Sequence, residues 1–502
     1  MKRDSSVLVI GSGFAGLAAA TILAKEGYSV TILEKNDQPG GRARLWESNG
    51  FKFDMGPSWY WMPDVFENYF NLFGKSVKDY YHLVRLDPAY RIYFGKDEIA
   101  DIPANMEELE ALFEKYEKGS SLGLREFMEQ AAFKYKTAMG DYVFRPSKSI
   151  TEFIDFRLLL ESLKIHMLTP MSQHVRKYFK NPKLIQLLEF PVLFLGATAQ
   201  KIPAMYSLMN YADLALGTWY PMGGMHQIVK AMVQLAEENG VKIILNTEVK
   251  NIVVKEKQAT SILTSNGDFT ADFIISGADY QHTDQQLLTP INRNYSEKYW
   301  NSRTMSPSSL LFYIGLDKKI GDIKHHNLFF DEDLDQHAKE IYIEPRWPSK
   351  PLFYVCCPSK TDETVAPEGK ENLFFLIPLA SGLKDSDEMR EKYYKLILNR
   401  FEQLTGEKIG GHEIVKRSYA MDDFVADYHS FKGNAYGLAN TLTQTAFFKP
   451  SIQSKKVNNL LFTGQLTVPG PGVPPSLISG QVVAEEALKC LRKLENKKEA
   501  KF

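Results

Sequence analysis

Val7-Leu8-Val9-Ile10-Gly11-Ser12-Gly13-Phe14-Ala15-Gly16 decides the fold of this chain, and Glu34 at the end of the next apolar run completes the reading. Val7 to Ile10 is a short apolar run suited to a buried parallel strand. Gly11 permits a tight turn, Gly13 lets backbone approach a pyrophosphate, and Gly16 lets the following helix pack closely on the sheet. That helix, through Leu17, Ala18, Ile22 and Leu23, aims its N-terminal amides and positive dipole end at the phosphates. Gly27 ends it, and Tyr28 to Leu33 reads as the second strand. Glu34 stands about 20 residues past the glycines, where a carboxylate accepts ribose hydroxyls and repels a 2′-phosphate. Strand, glycines, helix and acid in this order predict a Rossmann-type dinucleotide-binding domain.

Composition sets the frame around it. At 502 residues the chain exceeds one ordinary core and predicts two or three domains. Hydrophobic residues make up 44% and the formal charge is −1, which fits a globular protein and gives no basic surface for nucleic acid. Three cysteines, Cys356 and Cys357 adjacent, offer neither a disulfide framework nor a CxxC metal pattern and suit a reducing compartment. Met1 to Ser6 is short and polar, and no run of 18 apolar residues occurs, so a cytoplasmic protein without a spanning helix is expected.

Further along, Pro39-Gly40-Gly41-Arg42 and Phe53-Asp54-Met55-Gly56-Pro57-Ser58 read either as ordinary turns or as added contacts to a longer cofactor, with Arg42 as a phosphate clamp. Residues 150–216 are rich in apolar and aromatic residues at helical spacing, with Lys164, His166, His174, Arg176, Lys177, Lys180 and Lys183 scattered among them. Two readings stand: a helical unit docking on a lipid surface, or a buried helical subdomain with a solvated basic face. Dinucleotide-domain character returns with a helix through Met225, Ile228, Val229, Met232 and Leu235, a strand at Val241 to Leu245, and Phe273 to Ser276 running into Gly277-Ala278-Asp279. Leu460 to Phe462 reads as a last buried strand; Pro469-Gly470-Pro471-Gly472-Val473-Pro474-Pro475 leads into a helix from about Ser476. The expected organisation is a discontinuous dinucleotide domain (residues 1–85, 222–285 and 455–502), a mixed-sheet substrate domain (86–149 and 286–454) and a helical membrane-associated subdomain (150–221).

The fingerprint, Glu34, Gly40-Gly41-Arg42, the 53–58 motif and the terminal Pro-Gly-x-Gly-Val-Pro resemble the bacterial and fungal-type phytoene desaturases, a branch of the flavin amine-oxidase-like superfamily. Residues 219–225, His325-His326, Pro358-Ser359 and Ala366-Pro367-Glu368-Gly369 extend the resemblance over essentially the whole chain. The resemblance implies noncovalent FAD. Its contacts are expected from Gly11, Ser12, Gly13, Phe14, Ala15 and Gly16, from Glu34 and Lys35, and from Gly41 and Arg42. Gly56, Pro57 and Ser58, then Val249 and Asp279, and finally Gly464, Gly472, Val473 and Pro474 complete the expected set. It implies repeated dehydrogenation of phytoene toward lycopene or neurosporene, a peripheral position on the inner face of the cell membrane, and oxygen or a quinone as electron acceptor. The chain reads Gly464-Gln465-Leu466-Thr467-Val468-Pro469-Gly470 where the family commonly has Gly-x-Gly-Thr-His-Pro-Gly, and Pro475 where a glycine is usual. Carotenoid 3,4-desaturases, diapophytoene desaturases and ketolases on the same scaffold are therefore alternatives, as is an isoprenoid carrier of the Rab dissociation-inhibitor type. No catalytic acid or base is assigned: Glu161, His174, Arg176, His325 and His326 each have a structural reading. No metal site is expected: a histidine pair is more often capping or surface than catalytic, and nothing in the sequence completes a metal site.

Overall fold

A computed structural model describes residues 3–147, 169–441 and 443–499. The strand Ser6–Ile10 lies at the centre of a five-stranded sheet in the spatial order Leu460–Phe462, Phe273–Ser276, Ser6–Ile10, Ser29–Leu33, Lys242–Ile244. Every neighbouring pair is parallel. Its side chains alternate between two cores, as a strand buried on both faces requires. Val7 and Val9 pack with the helices Phe14–Lys25, His226–Glu238 and Val473–Glu499; Leu8 and Ile10 pack under the small antiparallel sheet Val249–Lys255, Gln258–Thr264, Gly267–Phe269. From Ile10 the chain moves to Ser29–Leu33 on one side, while Phe273–Ser276 lies on the other. That divergence makes the carboxyl end of the first strand a topological switch point, where open parallel sheets bind their ligands.

A second, seven-stranded sheet runs in the order Glu413–Tyr419, Ser308–Leu316, Glu371–Leu379, Phe353–Cys356, His326–Phe329, Tyr90–Gly95, Glu98–Ile102. It is antiparallel except where His326–Phe329 pairs with Tyr90–Gly95. Leu310, Phe312 and Ile314 face a core shared with the helix Asp387–Thr405; Leu311 and Tyr313 face the opposite way. These mixed α/β layers bear out the expected class. The C-terminal helix starts at Val473, three positions before the expected Ser476, because its prolines occupy a first turn that needs no amide donors.

Of the 150–221 segment, residues 150–168, with Glu161, Lys164 and His166, lie outside the described residues. In the remainder the apolar stripe turns inward: Leu184, Leu187, Leu188 and Phe190 are buried against the seven-stranded sheet. Part of the basic scatter is taken up by contacts within the protein. His174 is buried with Lys134 Nζ 3.0 Å from its Nε2, Arg176 pairs with Glu189, and Lys183 pairs with Glu98. For these residues the lipid-facing reading gives way to the buried one, because the sheet offers them an apolar face. Among the described residues no helix is long and apolar enough to cross a membrane.

Candidate functional site

One cavity of about 680 Å3 begins at the switch point and runs between the two sheets. Gly11, Gly13, Phe14 and Ala15 form its floor, with Glu34, Lys35, Gly41 and Arg42 on one side. Gly56, Pro57 and Ser58 join them, and Val249, Asp279, Gly464, Gly472, Val473 and Pro474 complete the lining expected from sequence. Two expected residues stand behind the wall instead. Ser12 is fully buried, donating from its amide (2.9 Å) and hydroxyl (2.7 Å) to Glu34 Oε2. Gly16 packs against the turn, where a Cβ would lie 2.1 Å from the Gly11 carbonyl oxygen. A second cavity, about 700 Å3 against Asp64, Glu67 and residues 76–83, takes in none of the expected residues.

The cradle fits an anionic dinucleotide. The helix Phe14–Lys25 has Gly13 at its N-cap, no side-chain cap among the described residues and no acid in its first turn, so its amides face the cavity unneutralised. A Cβ on Gly13 would meet nothing within 4 Å among the described residues; this is the open approach a pyrophosphate needs. Arg42 donates from Nη2 to Ser430 Oγ (3.0 Å) and Asn434 O (3.2 Å), while its buried Nε has no partner among the described residues. Burial pulls the Arg42 pKa down against the carboxylate of Asp279, a penalty that an anion in the cavity relieves. Asp279 caps His282 N and accepts from Phe431 N, and burial raises its own pKa.

Sequence reasoning missed several wall residues. His282 and His429 stack at 4.0 Å beside Val249, with His429 Nε2 2.9 Å from Glu248 Oε1. Burial and the neighbouring His429 push His282 down to about 3, so it is neutral at physiological pH. Asp54, within the 53–58 motif, faces away from this role: its carboxylate accepts from Met225 N (2.7 Å) and His226 N (2.8 Å) at the start of the helix His226–Glu238. Burial raises it to about 6. Beyond the cradle the wall turns apolar and aromatic, with Trp61, Phe190, Phe194, Leu311, Leu328 and Leu376. The seven-stranded sheet (Leu311, Leu328, Leu376) builds that wall together with Trp61 and the turn Phe190–Leu195, and no local motif marks it. Tyr354 lines it too, bonded to Ser58 Oγ at 3.0 Å and to His326 Nδ1 at 2.6 Å.

The class and then the narrower family follow from comparison. The family described as flavin containing amine oxidoreductase matches residues 14–488, and the chain belongs to it. An oxidoreductase of known structure from Methanosarcina mazei superposes with a TM-score of 0.62 at 16% identity, covering 96% of this chain and 100% of that one; this shows the shared fold. The chain is 40% identical over 481 residues to a carotenoid 3,4-desaturase of Haloarcula japonica, covering 95% of this chain and 97% of the relative. It is 33% identical over 497 residues to a 4,4'-diapophytoene desaturase (4,4'-diaponeurosporene-forming) of Staphylococcus aureus, covering 96% and 98%. Within the flavin superfamily it therefore belongs to the carotenoid desaturases. It is an FAD-dependent oxidoreductase of the kind that acts on CH–CH bonds, so the carrier without redox chemistry is set aside.

Proposed function

We propose that this protein desaturates an already conjugated carotenoid, in the manner of a 3,4-desaturase, with phytoene as the alternative substrate. The observation that carries the reading is the single cavity in which a dinucleotide cradle opens onto an apolar, aromatic wall. FAD, when bound, accepts the two electrons that leave as hydride from one carbon while a proton leaves its neighbour. The chain's own residues then have two tasks. Gly13, the Phe14–Lys25 amides and Arg42 hold the pyrophosphate, and Glu34, fixed by Ser12 and by Asn36 N (3.0 Å), keeps a lone-pair site for the ribose. The apolar wall binds and aligns the polyene, at about 25 cal/mol per Å2 of area removed from water.

A hydrocarbon of this kind resides in membranes, which supports a position at the membrane surface to collect it; oxygen or a quinone would serve as electron acceptor. The relative of 40% identity and the altered 464–475 segment both favour a late carotenoid over phytoene. Purified flavoprotein is to be given phytoene or lycopene in liposomes, and the products separated by chromatography with absorption spectra. Red-shifted products from lycopene with phytoene unchanged support the reading; conversion of phytoene alone moves the substrate to the alternative, and no conversion of either by flavin-loaded protein overturns both.

Arg42→Met tests the cradle. The loss of charge-assisted bonds, about 1.5–3 kcal/mol, weakens FAD binding about ten- to a hundredfold in a fluorescence titration. An unchanged affinity would confine Arg42 to holding the 430–434 loop.

A further inference from the structure

The buried polar cluster on the cavity side of the seven-stranded sheet is unused by the reading above. His326 and Cys356 are direct cross-strand partners in the antiparallel pair His326–Phe329 with Phe353–Cys356, and His325 precedes them at the strand end. A ring nitrogen of each histidine and Cys356 Sγ lie within 4.8 Å of one another, and all three residues are buried. We propose that His325, His326 and Cys356 form a binding site for a thiophilic d10 cation, Zn2+ or Cu+, with two imidazole nitrogens and one thiolate as ligands.

The hydrogen bonding is that of ligating imidazoles. Tyr354 Oη donates to Ser58 Oγ (3.0 Å), so its oxygen accepts from His326 Nδ1 (2.6 Å) and leaves Nε2 as a lone pair. His325 Nδ1 lies 2.8 Å from Thr361 Oγ1. Both Nε2 atoms are buried without a hydrogen-bond partner among the described residues. Buried ring nitrogens left without a partner are costly unless something occupies the space beside them. A second bond at the remote ring nitrogen, fixing tautomer and ring plane, is the arrangement that metal-ligating histidines use.

The donor set selects the cation. Thiolate with imidazole suits Zn2+ and Cu+ over Mg2+ or Ca2+, which take oxygen ligands. Bonds of about 2.0–2.1 Å to nitrogen and about 2.3 Å to sulfur place ligand atoms roughly 3.3–3.6 Å apart, so side-chain torsions close the present spacing. Binding exchanges the Cys356 Sγ–H bond for an Sγ–metal bond and releases the proton to solvent. Negative charge lies near: the Tyr220 ring packs edge-on to His325 at 4.6 Å, and its hydroxyl donates to Asp362 (3.3 Å). Trp59, stacked on His326 at 4.2 Å, and Tyr354 line the cavity and separate the cluster from it.

The test uses the full-length flavoprotein, without a histidine tag, equilibrated under reductant with Zn2+ or with Cu+, desalted and assayed for metal. About one equivalent is expected for at least one cation, with a K-edge absorption spectrum showing one sulfur and two imidazoles. Cys356→Ser and His326→Gln lose at least tenfold of the retained metal, whereas Cys357→Ser, on the opposite face of the sheet, keeps it. A zinc-only or copper-only result identifies the cation. Substoichiometric metal in the wild type, a first shell without sulfur, or equal retention in folded Cys356→Ser overturns the site. Should a variant fail to fold, the wild-type spectrum decides alone.

Discussion

Gly13→Glu is expected to yield a folded protein that carries no flavin. Gly13 adopts φ −70° and ψ 174°, a conformation open to any L-residue, and the direction of a Cβ is free of neighbours within 4 Å among the described residues. The fold therefore tolerates the side chain. A carboxylate at this N-cap even favours the helix dipole, by about 0.3–1 kcal/mol. The same carboxylate stands where the pyrophosphate belongs, filling its space and repelling its charge. FAD affinity should fall at least a hundredfold, about 2.7 kcal/mol, read as a colourless preparation with a wild-type circular dichroism spectrum. Gly16→Ala makes the contrast. Its methyl would sit 2.1 Å from the Gly11 carbonyl oxygen, so turn and helix separate and stability falls along with flavin. Stoichiometric flavin in Gly13→Glu would remove the cradle from the cofactor site.

The second large effect lies in the C-terminal helix. Gly480 sits where Val473–Glu499 crosses Phe14–Lys25: a Cβ there would lie 2.4 Å from the Ala15 carbonyl oxygen and 2.7 Å from the Ala18 methyl. Gly480→Val gains roughly 0.5 kcal/mol of helix propensity. Overpacking costs about 1–3 kcal/mol where side chains can yield, and here backbone must move, so a net loss near the upper end is expected. Both helices have their N-termini at the cavity, so their displacement spoils the cradle as well. Thermal melting followed by flavin release should shift down by several degrees, with weaker FAD retention. A wild-type melting curve would mean that the two helices do not pack this closely.

The sequence itself determined the dinucleotide fold, FAD and the family. The reason is local: a tight turn, a backbone approach and a ribose acid need specific residue types at fixed spacing, and Gly11 to Gly16 with Glu34 supply them within one strand–helix–strand unit. Asp54 shows the boundary of such reading, since its motif is legible while its role as the cap of a distant helix is not. Tertiary structure alone decided the rest. The inward turn of Leu184 to Phe190, the apolar wall at Phe194 and Leu376, the stacked His282–His429 pair, and the approach of Cys356 to His325 and His326 all join residues remote in sequence. Strand register and sheet-to-sheet packing set those distances through burial, which is non-directional and leaves no spacing for a linear pattern to carry.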